Sequence, residues 1–123
     1  MSELFKFPIQ EKGFGFEGGC GHGKDHVLLC RNNPNSIIIS LDLSDGVYVA
    51  SKRCETNNLY NNVFIKGSLL NIPLKENIID WAYSFGVFHH TINPQKCIKE
   101  ISRICRKNSK FIKNFSKQSA NKR

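Results

Sequence analysis

Several things are scarce or missing in this chain, and each absence removes a class of protein. No apolar run comes near the roughly 20 residues that a helix needs to cross a bilayer. The opening Met1-Ser-Glu-Leu-Phe-Lys6 lacks the apolar stretch of a secretory signal, so a cytoplasmic chain with no membrane span is expected. The five cysteines, Cys20, Cys30, Cys54, Cys97 and Cys105, are odd in number and include no Cys-x-x-Cys pair. They read as reduced thiols and not as a disulfide frame. Acid is missing altogether after Glu100, which locates the net charge of +8. Residues 1–100 carry ten basic and ten acidic side chains, and the whole excess lies at Arg103, Arg106, Lys107, Lys110, Lys113, Lys117, Lys122 and Arg123. A basic groove on the folded face, the usual footprint of a nucleic-acid binder, is therefore not indicated. Residues 116–123 are polar and aperiodic; they read as a disordered basic tail with at most nonspecific phosphate attraction.

What is present fits one small domain: 123 residues with 40% apolar content can build a single modest core, and no repeat occurs. Residues 1–12 form an N-terminal segment without a clear pattern. A short Phe-rich strand is expected at about Gly13–Glu17, followed by a helix opening near Gly23, carrying Val27, Leu28 and Leu29, and stopped by Pro34. Ser36–Leu41 is an unbroken apolar run suited to a strand buried on both faces. Ser44 or Asp45 caps a helix carrying Val47, Val49 and Ala50, which Asn57-Asn58 ends. Further strands are expected at about Asn62–Lys66 and Ile78–Ser84. Asn93-Pro94 opens a helix with Cys97, Ile98, Ile101, Ile104 and Cys105 at helical spacing, and a last strand starts near Lys110. Alternating strands and helices predict a parallel α/β sheet with right-handed crossovers.

Chemistry gathers at the strand ends. Glu17-Gly-Gly-Cys-Gly-His-Gly23 follows the first strand, and nineteen residues beyond Gly23 the second strand closes on Asp42. Glycines let backbone approach a ligand, and a helix N-terminus offers unpaired N–H groups. A carboxylate tipping the next strand accepts hydrogen bonds from both ribose hydroxyls. The spacing Gly19-x-Gly21-x-Gly23 departs from the Gly-x-Gly-x-x-Gly of NAD and FAD sites. With its flanks, this loop resembles motif I of the class I S-adenosylmethionine-dependent methyltransferases, in a methyltransferase type 11/25-like form. Three later stretches resemble the same family in the same order. These are Gly67-Ser-Leu-Leu-Asn-Ile-Pro-Leu74 after the third strand, Asn77–Thr91 across the fourth, and Asn93–Asn108 approaching the fifth.

The resemblance implies a Rossmann-like doubly wound parallel sheet over residues 13–115, lacking the family's last strands, with S-adenosyl-L-methionine as cofactor. In family terms Glu17 starts motif I, while Gly19, Cys20 and Gly21 lie along the methionine part. Asp42 takes the ribose, Leu43 lies beside the adenine, and Ser68 and Leu69 read it from the other side. Ser68 stands where the family usually carries a carboxylate, which weakens that contact. Ser84 and Phe85 line the methyl-donating end; Phe85 also reads as ordinary core. His90 corresponds to a position facing the acceptor, where a histidine can take a proton, although a packing or capping role fits it too. Asn108 replaces the glycine of the family's turn before strand 5 and can take the same left-handed conformation.

Cys20, His22, His26 and Cys30 form a Cys-x-His-x₃-His-x₃-Cys pattern in which zinc could be imagined, but their directions do not converge readily, and no metal is expected. The leading reading is a methyltransferase domain acting on a small-molecule or lipid acceptor. A non-catalytic methyltransferase-like interaction module, paired through the bare edge of strand 5 with itself or a partner, or an inactive fragment, is one rival. An RNA methyltransferase or RNA-binding protein is the other.

Overall fold

A computed structural model describes residues 8–19, 23–85 and 93–114. Five strands, β1 (Lys12–Gly18), β2 (Asn35–Asp42), β3 (Asn62–Lys66), β4 (Ile79–Phe85) and β5 (Cys105–Asn114), form one sheet in the order β3-β2-β1-β4-β5. Every pairing is parallel. Helices α1 (Lys24–Asn32), α2 (Gly46–Thr56) and α3 (Pro94–Ile104) make the crossovers. The order reverses between β1 and β4, and in open α/β sheets the crevice at such a reversal, outside the carboxyl ends of the strands, receives ligands.

The alternation of side chains along the strands divides the core into two layers. Phe16, Ile39, Leu41 and Ala82 face α3, where Cys97, Ile101 and Ile104 pack with Leu69 and Ile72. Ile38, Trp81 and Tyr83 face the other way, onto Leu29, Cys30 and Cys54 of α1 and α2. Each aliphatic or aromatic side chain so buried contributes roughly 1.5–3 kcal/mol. Trp81 lies against the flat face of Gly15, where any side chain would enter its ring, and its indole N–H donates to Ser36 Oγ at 2.9 Å. That bond answers the polar edge of an otherwise apolar burial.

Local chemistry explains most boundaries. Asn93 accepts from the Lys96 backbone N–H at 3.1 Å and Pro94 fills the first turn, so α3 starts where expected. The end of α1 is set less by Pro34 than by Asn33, which is fully buried and donates to the Leu29 carbonyl at 2.8 Å. At α2 the residue before the first turn is Asp45, but its carboxylate pairs with Lys66 at 2.6 Å. The Gly46 N–H is taken instead by Ser44 Oγ at 3.0 Å. Val49 and Ile98 point outward; Cys54 is the inward residue of the last turn of α2.

The largest correction concerns β5. It begins at Cys105, directly after α3, and not near Lys110. Ile79 pairs with Cys105 and Trp81 with Lys110, so β5 advances five residues while β4 advances two. Asn108 sits in this bulge at φ 72, the left-handed conformation expected for it. Apart from Cys105, which packs against the core, the stretch to Lys110 is polar, which is why an apolar-run reading passes over it.

Candidate functional site

The carboxyl ends of β1, β2 and β3 are stitched together by backbone hydrogen bonds. Gly18 lies opposite Leu41 in the parallel register, and the Gly19 N–H donates to the Leu41 carbonyl at 2.7 Å. Gly19 has φ 81, a conformation that favours glycine, so the chain can leave β1 sharply at this point. The Gly67 N–H donates to the Asp42 carbonyl at 2.9 Å, which brings the loop after β3 to the same rim. Gly19, Asp42 and Ser68 therefore belong to one edge of the sheet.

On that rim, Asp42 is partly exposed, and its Oδ1 accepts from the Ser44 N–H and from Ser44 Oγ, both at 2.9 Å. This Asx turn fixes the carboxylate's direction beyond the strand end. Leu43 stands out into solvent. Ser68 Oγ accepts from the Leu70 N–H at 3.0 Å, closing a small turn. Leu69 is buried against Gly18, where a Cβ would lie 3.1 Å from Leu69 Cδ2, and so it walls one side of the rim. Ser84 and Phe85 end β4 beside β1, with Ser84 opposite Gly18. Cys20, Gly21 and His90 lie outside the described residues.

The loop from Gly67 to Leu74 is held from below by α3. Glu100 accepts from the Ile72 N–H at 2.7 Å, while Arg103 donates to the Ile72 and Leu74 carbonyls at 2.8 and 2.9 Å. The two side chains also pair with each other, Arg103 Nε to Glu100 Oε2 at 2.9 Å. The Arg103 guanidinium, against the opposing effect of burial, holds the Glu100 carboxyl below its ordinary value.

Glu17 does not face the rim. Its carboxylate turns inward between β1 and α1 and accepts from His26 Nδ1 at 2.5 Å and Ser40 Oγ at 2.9 Å. All three residues are buried. His26 Nε2 faces Cys30 Sγ at 3.3 Å, and the ring tilts against Phe64 with centroids 4.8 Å apart. Burial alone would lower the imidazole pKa. Hydrogen bonds to Cys30, Cys54 and Glu17, with the Glu17 charge, outweigh it and push the pKa up to about 11. The sequence carries a trace of this network, since His26 and Cys30 are one helical turn apart on a buried face. Cys54 is missed because it arrives from a different helix. Of the Cys20, His22, His26, Cys30 pattern, the first two residues lie outside the described ones.

Comparison with known proteins agrees with this architecture. A family model described as a methyltransferase domain matches residues 16–113. The tRNA (carboxymethyluridine(34)-5-O)-methyltransferase of Saccharomyces cerevisiae is 32% identical over 93 residues, covering 76% of this chain and 30% of the relative. Among solved structures, a candidate S-adenosyl-L-methionine-dependent methyltransferase of Methanococcus maripaludis superposes with a TM-score of 0.76 at 24% identity. It covers 82% of this chain and 47% of its own. A complex of the Haloferax volcanii Trm112 methyltransferase activator with a candidate methyltransferase gives 0.74 at 22% identity, covering 89% of this chain and 47% of the other. The chain thus spans under a third of the length of its curated relatives and about half of these solved chains.

Proposed function

Since the chain belongs to the methyltransferase domain family, we propose that its sheet binds S-adenosyl-L-methionine along the rim formed by β1, β2 and β3 and supplies the cofactor half of a methyl transfer. One observation carries this reading: Asp42 ends β2 beside the left-handed Gly19 turn, tied to it through the Gly19–Leu41 bond. In the proposal, Asp42 accepts from the ribose hydroxyls, Leu43 and Leu69 flank the adenine, and Ser68 accepts from its amine. Gly19, Cys20 and Gly21 let the methionine part approach the backbone, and Ser84 and Phe85 sit toward the transferred methyl. Glu17 serves from behind, holding α1 through His26. Methyl transfer from a sulfonium is an in-line displacement, so positioning supplies much of the rate and an acid–base residue such as His90 is needed only where the acceptor must lose a proton.

For the acceptor, a small molecule or lipid is the first reading, and the charge balance of residues 1–100 weighs against a nucleic acid. RNA is the second reading, supported by a 32% identical relative named for tRNA and by the exposed Arg106, Lys107 and Lys110 at the start of β5. Among the described residues β5 pairs only with β4, which leaves its outer edge as the place for a protein partner or a second copy.

Titration calorimetry with S-adenosylhomocysteine tests the cofactor reading. Binding is expected, and Asp42→Ala weakens it by about 1–3 kcal/mol by leaving the ribose hydroxyls without an acceptor. A folded wild-type sample that gives no heat with either S-adenosylhomocysteine or S-adenosyl-L-methionine overturns the assignment.

A further inference from the structure

We propose that His26, Cys30 and Cys54 form a closed three-donor site for one thiophilic cation, zinc(II) or copper(I), that fastens α1 to α2 behind the glycine turn. The three donor atoms lie within 4.8 Å of one another, and all three residues are buried. His26 and Cys30 share a face of α1 through their one-turn spacing, and Cys54 comes from the last turn of α2. Metal–sulfur bonds near 2.3 Å and metal–nitrogen bonds near 2.0 Å place the donors of one coordination sphere about 3.5–4 Å apart. The observed spread therefore lies within about 1 Å of the separations that one coordination sphere needs.

The imidazole is already oriented for this task. Its Nδ1 is bound to the Glu17 carboxylate, which Ser40 holds in turn, and this leaves Nε2 directed at the sulfurs. A carboxylate on the rear nitrogen is the usual support of a metal-binding histidine, because it fixes the tautomer and raises the basicity of the ligating nitrogen. Two sulfurs and one imidazole are soft donors that select zinc or copper(I) over magnesium or calcium. Three protein donors favour trigonal copper(I), whereas two thiolates cancel the charge of zinc(II) in a dry pocket. These preferences oppose each other, so the donor set suits either ion. The three donors are buried and packed with Leu29 and Phe64, so the role of the site is structural and it takes no substrate. Binding displaces the thiol protons of Cys30 and Cys54 and the proton on Nε2, with no change of oxidation state.

The test uses the reduced full chain under anaerobic conditions, titrated with zinc(II) against a chromophoric chelator and separately with copper(I). One equivalent is expected in at least one arm, and the arm that saturates identifies the ion. Cys30→Ser and Cys54→Ser each weaken it by roughly a hundredfold or more, and Glu17→Gln by roughly 10–100-fold. Cys97→Ser, on the opposite face of the sheet, leaves it unchanged. Because buried substitutions can unfold the domain, X-ray absorption of the loaded wild type supplies an independent reading of two sulfur neighbours and one nitrogen. The proposal fails if neither ion saturates or if the absorption of the loaded protein lacks sulfur. None of these outcomes bears on S-adenosylhomocysteine binding, which is measured separately.

Discussion

Gly23→Ala isolates what the third glycine of the turn is for. Gly23 adopts φ 88, and an added Cβ would lie 2.5 Å from Ala50 Cβ and 2.6 Å from Ala50 Cα. Both neighbouring atoms are carried by the α2 backbone, so relief requires moving a helix and not rotating a side chain. Two carbons need about 3.5–4.0 Å between them, which forces α1 and α2 apart by about 1 Å. Overpacking of this kind costs about 1–3 kcal/mol, and holding alanine in the left-handed region adds about 1–2 kcal/mol. The sum, about 2–4 kcal/mol after partial relaxation, is a large share of the stability of a domain this small. At roughly 4 °C per kcal/mol the melting temperature falls by about 8–16 °C. Urea unfolding followed by circular dichroism measures the loss, and the double variant Gly23→Ala/Ala50→Gly apportions it. Removing the Ala50 methyl relieves one of the two contacts and leaves the 2.6 Å approach to Ala50 Cα; the left-handed strain also stays and the helical cost of glycine is added, so recovery is partial. A Gly23→Ala protein that unfolds at the wild-type urea concentration refutes the reasoning, and would mean that the two helices are not held at this distance.

Two further outcomes follow from single contacts. Glu100 has its pKa lowered from 4.5 by Arg103, so its contribution to stability is present above that value and is lost as the pH falls below it. Urea midpoints at pH 7, 5, 4 and 3 should decline through this window for the wild type and less steeply for Glu100→Gln; parallel curves would exclude the ion pair as a cause. Asn93→Ala removes the side-chain acceptor of the Lys96 N–H and is expected to cost about 1 kcal/mol, with Asn93→Ser restoring most of it. Equal midpoints for Asn93→Ala and wild type would show that water serves as well.

Residues whose environment is set by chain neighbours were legible from the sequence. β3 spans Asn62–Lys66 as expected because a short apolar run flanked by Asn57-Asn58 and Gly67 leaves few other bounds. Asn93-Pro94 marks the start of α3, and Asn108 takes the left-handed turn, each for reasons local to a few residues. The rim is legible for the same reason: glycine spacing and a strand-end carboxylate encode a backbone path. Glu17 is different. The motif marks it as a site residue, yet its partners, His26 and Ser40, come from a separate helix and strand. Only the sheet register, with Glu17 opposite Ser40, brings them together. Val49 and Ile98 are apolar, which by itself would suggest burial. Helical phase decides instead, and places both on the outer arc.

The junction of α3 and β5 has a consequence for how the chain tolerates changes of length. Ile104 is the last helical residue and Cys105 the first of the strand, with no linker between them. One residue inserted at that joint would turn the preceding helix by about 100° against the strand, or flip every β5 side chain to the opposite face. Three residues further on, the bulge around Asn108 already holds more chain than its partner strand. An insertion there would only enlarge an existing excursion. Neighbouring positions thus differ sharply as sites for insertion and deletion: the tolerant one lies within a strand, and the intolerant one where a loop would ordinarily be.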